Sequence, residues 1–127
     1  MRRWTVGGAL IRHEDGLLLV GNRRKDRSLE WTPPGGVIDA GEAVLEGLAR
    51  EVREETGLVV TGWSQMVYTV VVDAPDMGWQ LRVEAWEADG VEGDVVLADP
   101  DGIVEHVVHS SAEHALELLV SSPPWVR

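Results

Sequence analysis

The sequence predicts an α/β fold, a mixed β-sheet sandwiched between helices, formed by one domain over residues 1–127. Three observations predict it. Short apolar, β-rich segments recur along the chain. Two segments, Glu42–Thr56 and Ser111–Val120, carry a helical period instead. No internal repeat or linker divides the 127 residues, a length that supports one hydrophobic core.

Trp4–Ile11 is apolar and interrupted by Gly7-Gly8, and His13-Glu14-Asp15-Gly16 is a turn signal. Leu17–Val20 then reads as a buried strand that makes a hairpin with the first. Gly21-Asn22 breaks it and leads to Arg23-Arg24-Lys25-Asp26-Arg27, a basic loop in an acidic chain. Trp31–Pro34 passes through Gly35-Gly36 into the first helix. Beyond Gly57, Leu58–Val60 and Trp63–Val72 read as strands, and Asp73–Asp76 as a turn. Trp79, Leu81, Val83 and Ala85 alternate with Gln80, Arg82, Glu84 and Trp86, so one face is core and the other polar or ligand-facing. Glu87–Gly93 is acidic and loop-like. Asp99–Gly102 is a turn, Ile103–Val108 a short strand, and Ser111–Val120 a helix capped by Ser110 or Ser111.

The first helix carries the chemistry. Leu45, Leu48, Ala49 and Val52 form its apolar stripe, with Glu42 in the first turn and Gly57 as a left-handed C-terminal cap. Glu51, Glu54 and Glu55 stand at i, i+3 and i+4, on one face and a turn apart. Like charges so placed repel, and a divalent cation relieves that repulsion. Arg50 lies four residues from both Glu46 and Glu54 and can hold a carboxylate in its fork of donors. Gly47, one turn before Glu51, leaves room for a ligand or loop, or permits close packing.

In full register, Gly36, Glu42, Arg50, Glu51, Val52, Glu54, Glu55, Gly57 and Leu58 resemble the Nudix box, the signature of the Nudix hydrolase family. Every specified position matches, which by average residue usage happens at a given start on the order of once in a billion. The resemblance implies an α/β/α sandwich in which the box forms loop, helix and loop. It also implies water attack on a phosphorus of a nucleoside diphosphate linked to some group X. Short length makes the chain similar to MutT-like enzymes, so a nucleoside triphosphate is the expected substrate. ADP-ribose or a nucleotide sugar is the alternative. Pro75 lies eighteen residues past Gly57, away from the position that marks ADP-ribose hydrolases, and Tyr68 lies too early for the diadenosine polyphosphate mark.

Under this resemblance Glu51, Glu54, Glu55 and the Gly36 carbonyl are the expected metal ligands, for Mg²⁺ with Mn²⁺ as an alternative. Carboxylate oxygens suit such hard cations, which screen phosphate charge and activate water. Glu54, Glu55 or a downstream acid is the expected base. Asp101 and Glu105 are the downstream candidates, with Glu105 preferred; Gly102 stands where many relatives carry an acid. Arg50 joins the catalytic set as the group that orients carboxylates. Arg23, Arg24 and Arg27 of the basic loop, with Arg82 and Trp86 on the alternating strand, are the expected substrate contacts. Trp86 rather than Trp79 is the expected base-stacking ring.

Composition removes other classes. A net charge of −11 argues against nucleic acid polymers and anionic membrane surfaces, yet leaves a small phosphate ligand available through a metal. Cysteine is absent, which excludes disulfides, thiol catalysis and cysteine-ligated zinc. His106 and His109 are three apart on an expected strand and point to opposite faces, so they do not read as a zinc site. Asp99–Gly102 lacks the acids of a calcium loop. No secretory signal or transmembrane-length run is evident, so the expected location is cytoplasmic. The expected partner is a small-molecule nucleotide, and a homodimer is compatible with the chain. A non-catalytic nucleotide-sensing domain is the competing class; intact box carboxylates speak against it.

Overall fold

The N-terminal apolar run does not fold back as one hairpin. In this computed structural model, which describes residues 2–13, 16–23, 26, 28–95 and 104–111, the run breaks at Ile11. β1 (Arg2–Leu10) enters one sheet, while β2 (Arg12–His13) pairs antiparallel with β3 (Gly16–Arg23) in another. Ile11 is buried, and its carbonyl accepts the Leu18 N–H at 2.9 Å, so the break is anchored in the core. The expected pairing of Trp4–Ile11 with Leu17–Val20 is corrected accordingly.

β3 also runs past Gly21. It continues through an irregularity between Val20 and Asn22 to Arg23, with β4 (Leu29–Thr32) on one side and β8 (Val104–Ser111) on the other. Gly21 permits this because the Trp31 ring covers it; an added Cβ would lie 2.8 Å from that ring. Pairing on both flanks overrides the local turn signal of Gly-Asn.

The first sheet has the order β5-β1-β7-β6, where β5 is Gly35–Val37, β6 is Val59–Ala74 and β7 is Trp79–Glu92. β1 and β7 are parallel, from Arg2 opposite Trp79 to Leu10 opposite Glu87; the other pairs are antiparallel. The sheet is therefore mixed, as expected. A 3₁₀ turn at Pro75–Met77 joins β6 to β7. Residues 87–92, expected as loop, extend β7 because Val59, Val60 and Gly62 pair with Glu92, Val91 and Gly90.

The helix α1 (Val44–Thr56) lies on one face of this sheet. Leu48 and Val52 are fully buried against Ala9, Ile11, Leu18, Ile38 and Leu58. Each such side chain contributes about 1.5–3 kcal/mol relative to exposure. Glu46 in the first turn and Arg53 in the last suit the helix dipole. Gly57 has φ of 82° and donates its N–H to Arg53 O at 2.9 Å, the expected left-handed cap. The helix starts later than expected: Ala43 is extended and Glu42 belongs to the preceding turn. On the opposite sheet face, Val6, Leu81 and Val83 form a second cluster with Trp79, whose ring centroid is 6.2 Å from that of Trp4.

The expected strand at Ile103–Val108 is β8, displaced to Val104–Ser111. Ser111 closes that strand rather than opening a helix; residues 112–120 and the Asp99–Gly102 turn lie outside the described residues. Among the described residues, no helix is long and apolar enough to cross a membrane.

Candidate functional site

β5, the turn that follows it and α1 bring the acidic residues together. β5 is pinned to β1, with Gly36 opposite Gly7 and Gly35 opposite Gly8. The backbone then turns through Asp39–Glu42, closed by the Glu42 N–H donating to Asp39 O at 3.1 Å. α1 follows two residues later, and the guanidinium of its Arg50 reaches back to Glu42 and Asp39 in that turn.

Arg50 is the centre. Its Nε donates to Glu42 Oε2 at 2.9 Å and its Nη2 to Glu42 Oε1 at 3.0 Å, a two-point clasp. Nη1 donates to Glu51 Oε1 at 3.1 Å and to Glu54 Oε2 at 3.3 Å. Nη2 also reaches the Val37 carbonyl at 3.4 Å and lies 3.4 Å from Asp39 Oδ2. The expected i−4 partner, Glu46, is not used; the turn supplies Glu42 in its place. Gly47 makes the room, since an added Cβ would sit 2.5 Å from Glu42 Oε1. The loop explanation of Gly47 therefore stands, with Ile38 as its packing neighbour.

One guanidinium faces four carboxylates, those of Asp39, Glu42, Glu51 and Glu54, which leaves the cluster at a net charge of −3 when all are ionised. Hydrogen bonds from Arg50, then the Asp39 N–H, hold the Glu42 carboxyl below the usual glutamate range. The Arg50 guanidinium is held more firmly protonated, chiefly by its bonds to Glu42. Glu51 goes the other way: burial pushes its carboxyl up, against the opposing pull of Arg50. A half-buried carboxylate with raised proton affinity gains most from a cation brought beside it.

Glu51 packs on Gly36, where an added Cβ would lie 2.7 Å from the carboxylate carbon. Glu55 Oε1 accepts the Gly35 N–H at 3.2 Å. Thus Gly36, Glu51, Glu54, Glu55 and Arg50 are gathered at one edge of β5. The donors are all oxygens, the chemistry a hard cation needs. Among the described residues no three acidic or histidine side chains converge as a ready ion cage, because Arg50 draws Glu51 and Glu54 while Gly35 holds Glu55.

Other expected site residues lie elsewhere. Arg23 ends β3 instead of sitting in a loop, and Arg24 and Arg27 fall outside the described residues. Glu105 is the second residue of β8, and its backbone alone is described. Arg82 and Trp86 converge on an acid the alternation placed on a polar face. Glu84 is 7% exposed and accepts from Arg82 Nε and Trp86 Nε1, each at 2.9 Å. Trp86 is half-buried, with part of its ring packed against the α1-side core. Asp39 was not singled out by spacing; Glu42 was, but as a helix residue. The fixed distance from Glu42 to Arg50 in the box pattern was the available signal.

The NUDIX domain pattern matches residues 1–125. An uncharacterized Nudix hydrolase of Bacillus subtilis, YvcI, is 28% identical over 99 residues, 76% of this chain and 61% of that protein. A protein of Erythrobacter litoralis named RNA pyrophosphohydrolase is 30% identical over 90 residues, 68% of this chain and 53% of that protein. The chain thus spans 61% and 53% of the length of these two relatives. The solution structure of the E. coli ORF135 protein shares the fold, with a TM-score of 0.77 at 21% identity over 98% of this chain and 95% of that one. Matched by the family pattern across nearly its whole length and folded like ORF135, the chain belongs to the NUDIX domain family.

Proposed function

We propose that the protein is a pyrophosphohydrolase that cleaves a phosphoanhydride bond in a nucleoside diphosphate linked to X, with a nucleoside triphosphate as the leading substrate. The single observation behind this reading is the excess of carboxylates around Arg50 at the β5 edge. Such a cluster has little use for its charge unless a cation shares it. Glu51, Glu54, Glu55 and the backbone at Gly36 would hold Mg²⁺ or Mn²⁺. When bound, such an ion neutralises phosphate charge and makes water a better nucleophile. Arg50 orients the carboxylates from behind through Glu42, and Glu54 or Glu55 takes the proton from the attacking water. Glu105 is retained as the downstream candidate for that role.

Arg23, Arg24, Arg27 and Arg82 are proposed phosphate or ribose contacts, and Trp86 a base contact only where its packed ring leaves an edge free. The charge of −11 supports a small substrate over a nucleic acid polymer. The proposed location is the cytoplasm.

The test is hydrolysis of a panel of nucleoside triphosphates, oxidised purine nucleotides, ADP-ribose, nucleotide sugars and a triphosphate-ended RNA, with and without Mg²⁺ or Mn²⁺. Glu54→Gln and Glu55→Gln are assayed beside the parent. Turnover that depends on the ion and falls about 10²–10⁴-fold in at least one variant is expected. Equal rates in both variants and the parent would sink the assignment. Nucleotide binding without turnover of any substrate would favour the sensing domain.

A further inference from the structure

We propose that the free edge of β6 pairs two copies of this chain into an antiparallel dimer. β6 is the outermost strand of its sheet, bonded to β7 on one side. Among the described residues, no backbone hydrogen bond leaves its other side. Exposed edges of this kind are normally guarded by charge, proline or bulges. Here Asp73 and Pro75 mark one end of the strand, and the irregularities are confined to the other half. All four register irregularities fall between Val60 and Tyr68, while Tyr68–Ala74 runs opposite Ala85–Trp79 without a break.

Charge singles out the same strand. Thr56–Val72 is 17 residues without Asp, Glu, Lys or Arg, the longest such run in a chain of net charge −11. Two copies repel over most of their surface and approach at least cost along this strip. Val67 and Val71 stand out from it, 41% and 51% exposed.

A two-fold axis at Val71 sets the register. Val71 then faces itself, Val70 faces Val72 of the second copy, Thr69 faces Asp73 of the second copy, and Tyr68 faces Ala74 of the second copy. Apolar and β-branched pairs thereby fill the centre, the pairing that stabilises sheets. The one charge per copy, Asp73, is offset by four residues from its equivalent, about 14 Å along the strands. That exceeds the screening length of about 8 Å at physiological salt.

Because the chain has no cysteine, a single introduced one reports alone. Val71→Cys would place two Cα atoms about 4.5–5.5 Å apart, within disulfide range. Val59→Cys, on a comparably exposed site of the same strand, would stand far from its equivalent. Mild oxidation should give covalent dimer from Val71→Cys and not from Val59→Cys. In sedimentation the unmodified chain should gain dimer as concentration rises, and Val71→Lys should lose it. Mixing Val71→Lys with Val71→Glu should restore it. A parent chain that stays monomeric up to millimolar concentration overturns the proposal, as does equal cross-linking of the two cysteine variants. A strand of another protein as the occupant would appear as that monomeric result.

Discussion

Arg50 grips Glu42 with two hydrogen bonds, Nε to Oε2 at 2.9 Å and Nη2 to Oε1 at 3.0 Å. The grip joins a helix residue to a turn residue eight positions earlier, and the third nitrogen is left for Glu51 and Glu54. Lysine offers one point charge and cannot reproduce this fork. Arg50→Lys is expected to keep its far-ultraviolet circular dichroism and lose about 10–100-fold in kcat/KM, the usual cost of removing a group that orients ligands. A rate within twofold of the parent would show that the clasp does not serve the reaction.

The same clasp predicts an acid dependence of stability. The folded state holds Glu42 below its ordinary value of 4.5, so it releases this proton more readily than the unfolded chain. The stabilisation is complete above that ordinary value and is lost as pH falls through the lowered one. Glu42→Gln should therefore lower Tm at neutral pH, with the deficit shrinking below about pH 4.5. A deficit that stays constant down to about pH 3 would assign it to packing.

Adjacent glycines separate function from folding. A Cβ on Gly36 meets the end of the Glu51 side chain, which can swing away. A Cβ on Gly35 overlaps the backbone carbonyl of Gly7, which cannot without loosening β1 from β5. Gly36→Ala is expected to melt near the parent and lose at least about tenfold in activity through the displaced carboxylate. Gly35→Ala is expected to lose about 1–3 kcal/mol of stability, the usual cost of overpacking. Thermal melts and steady-state rates on the two proteins decide it; the reverse pattern would count against the Gly36–Glu51 contact.

Tyr68 offers a change in the opposite direction. Among the described residues its hydroxyl is buried with no hydrogen-bond partner, and burial pushes its pKa up. Its ring packs against Leu10, Leu17 and Leu19. A buried polar atom without a partner costs stability, so Tyr68→Phe should be neutral or stabilising by up to about 1 kcal/mol in denaturant unfolding. A loss of more than that would reveal a partner for the hydroxyl in solution.

The helix and its acids were legible because their logic is local. Spacing alone places Leu48 and Val52 inward, Glu51, Glu54 and Glu55 together, and Gly57 at the cap. The partner of Arg50 was not legible from helix spacing, since Glu46 and Glu42 compete and the turn at Asp39–Glu42 decides. The hairpin expected between Trp4–Ile11 and Leu17–Val20 is a short-range pairing that local signals suggest, whereas β1 pairs with β5 and β7, farther along the chain. Alternation puts Glu84 on a polar or ligand-facing surface; its burial, offset by the bonds from Arg82 and Trp86, depends on contacts that alternation does not show.

The parallel pairing of β1 with β7 also sets a schedule. Arg2 lies opposite Trp79, 77 residues later. At roughly 5–20 residues per second of synthesis, β1 leaves the ribosome about 4–15 s before its last partner is made. During that interval Val6 and Ala9, on opposite faces of β1, lack the β7 neighbours that complete their clusters, and β5, which seats Glu51, pairs with a strand whose other edge is still open. The protein's exposure to misassembly is therefore concentrated in its birth, before the acidic centre exists.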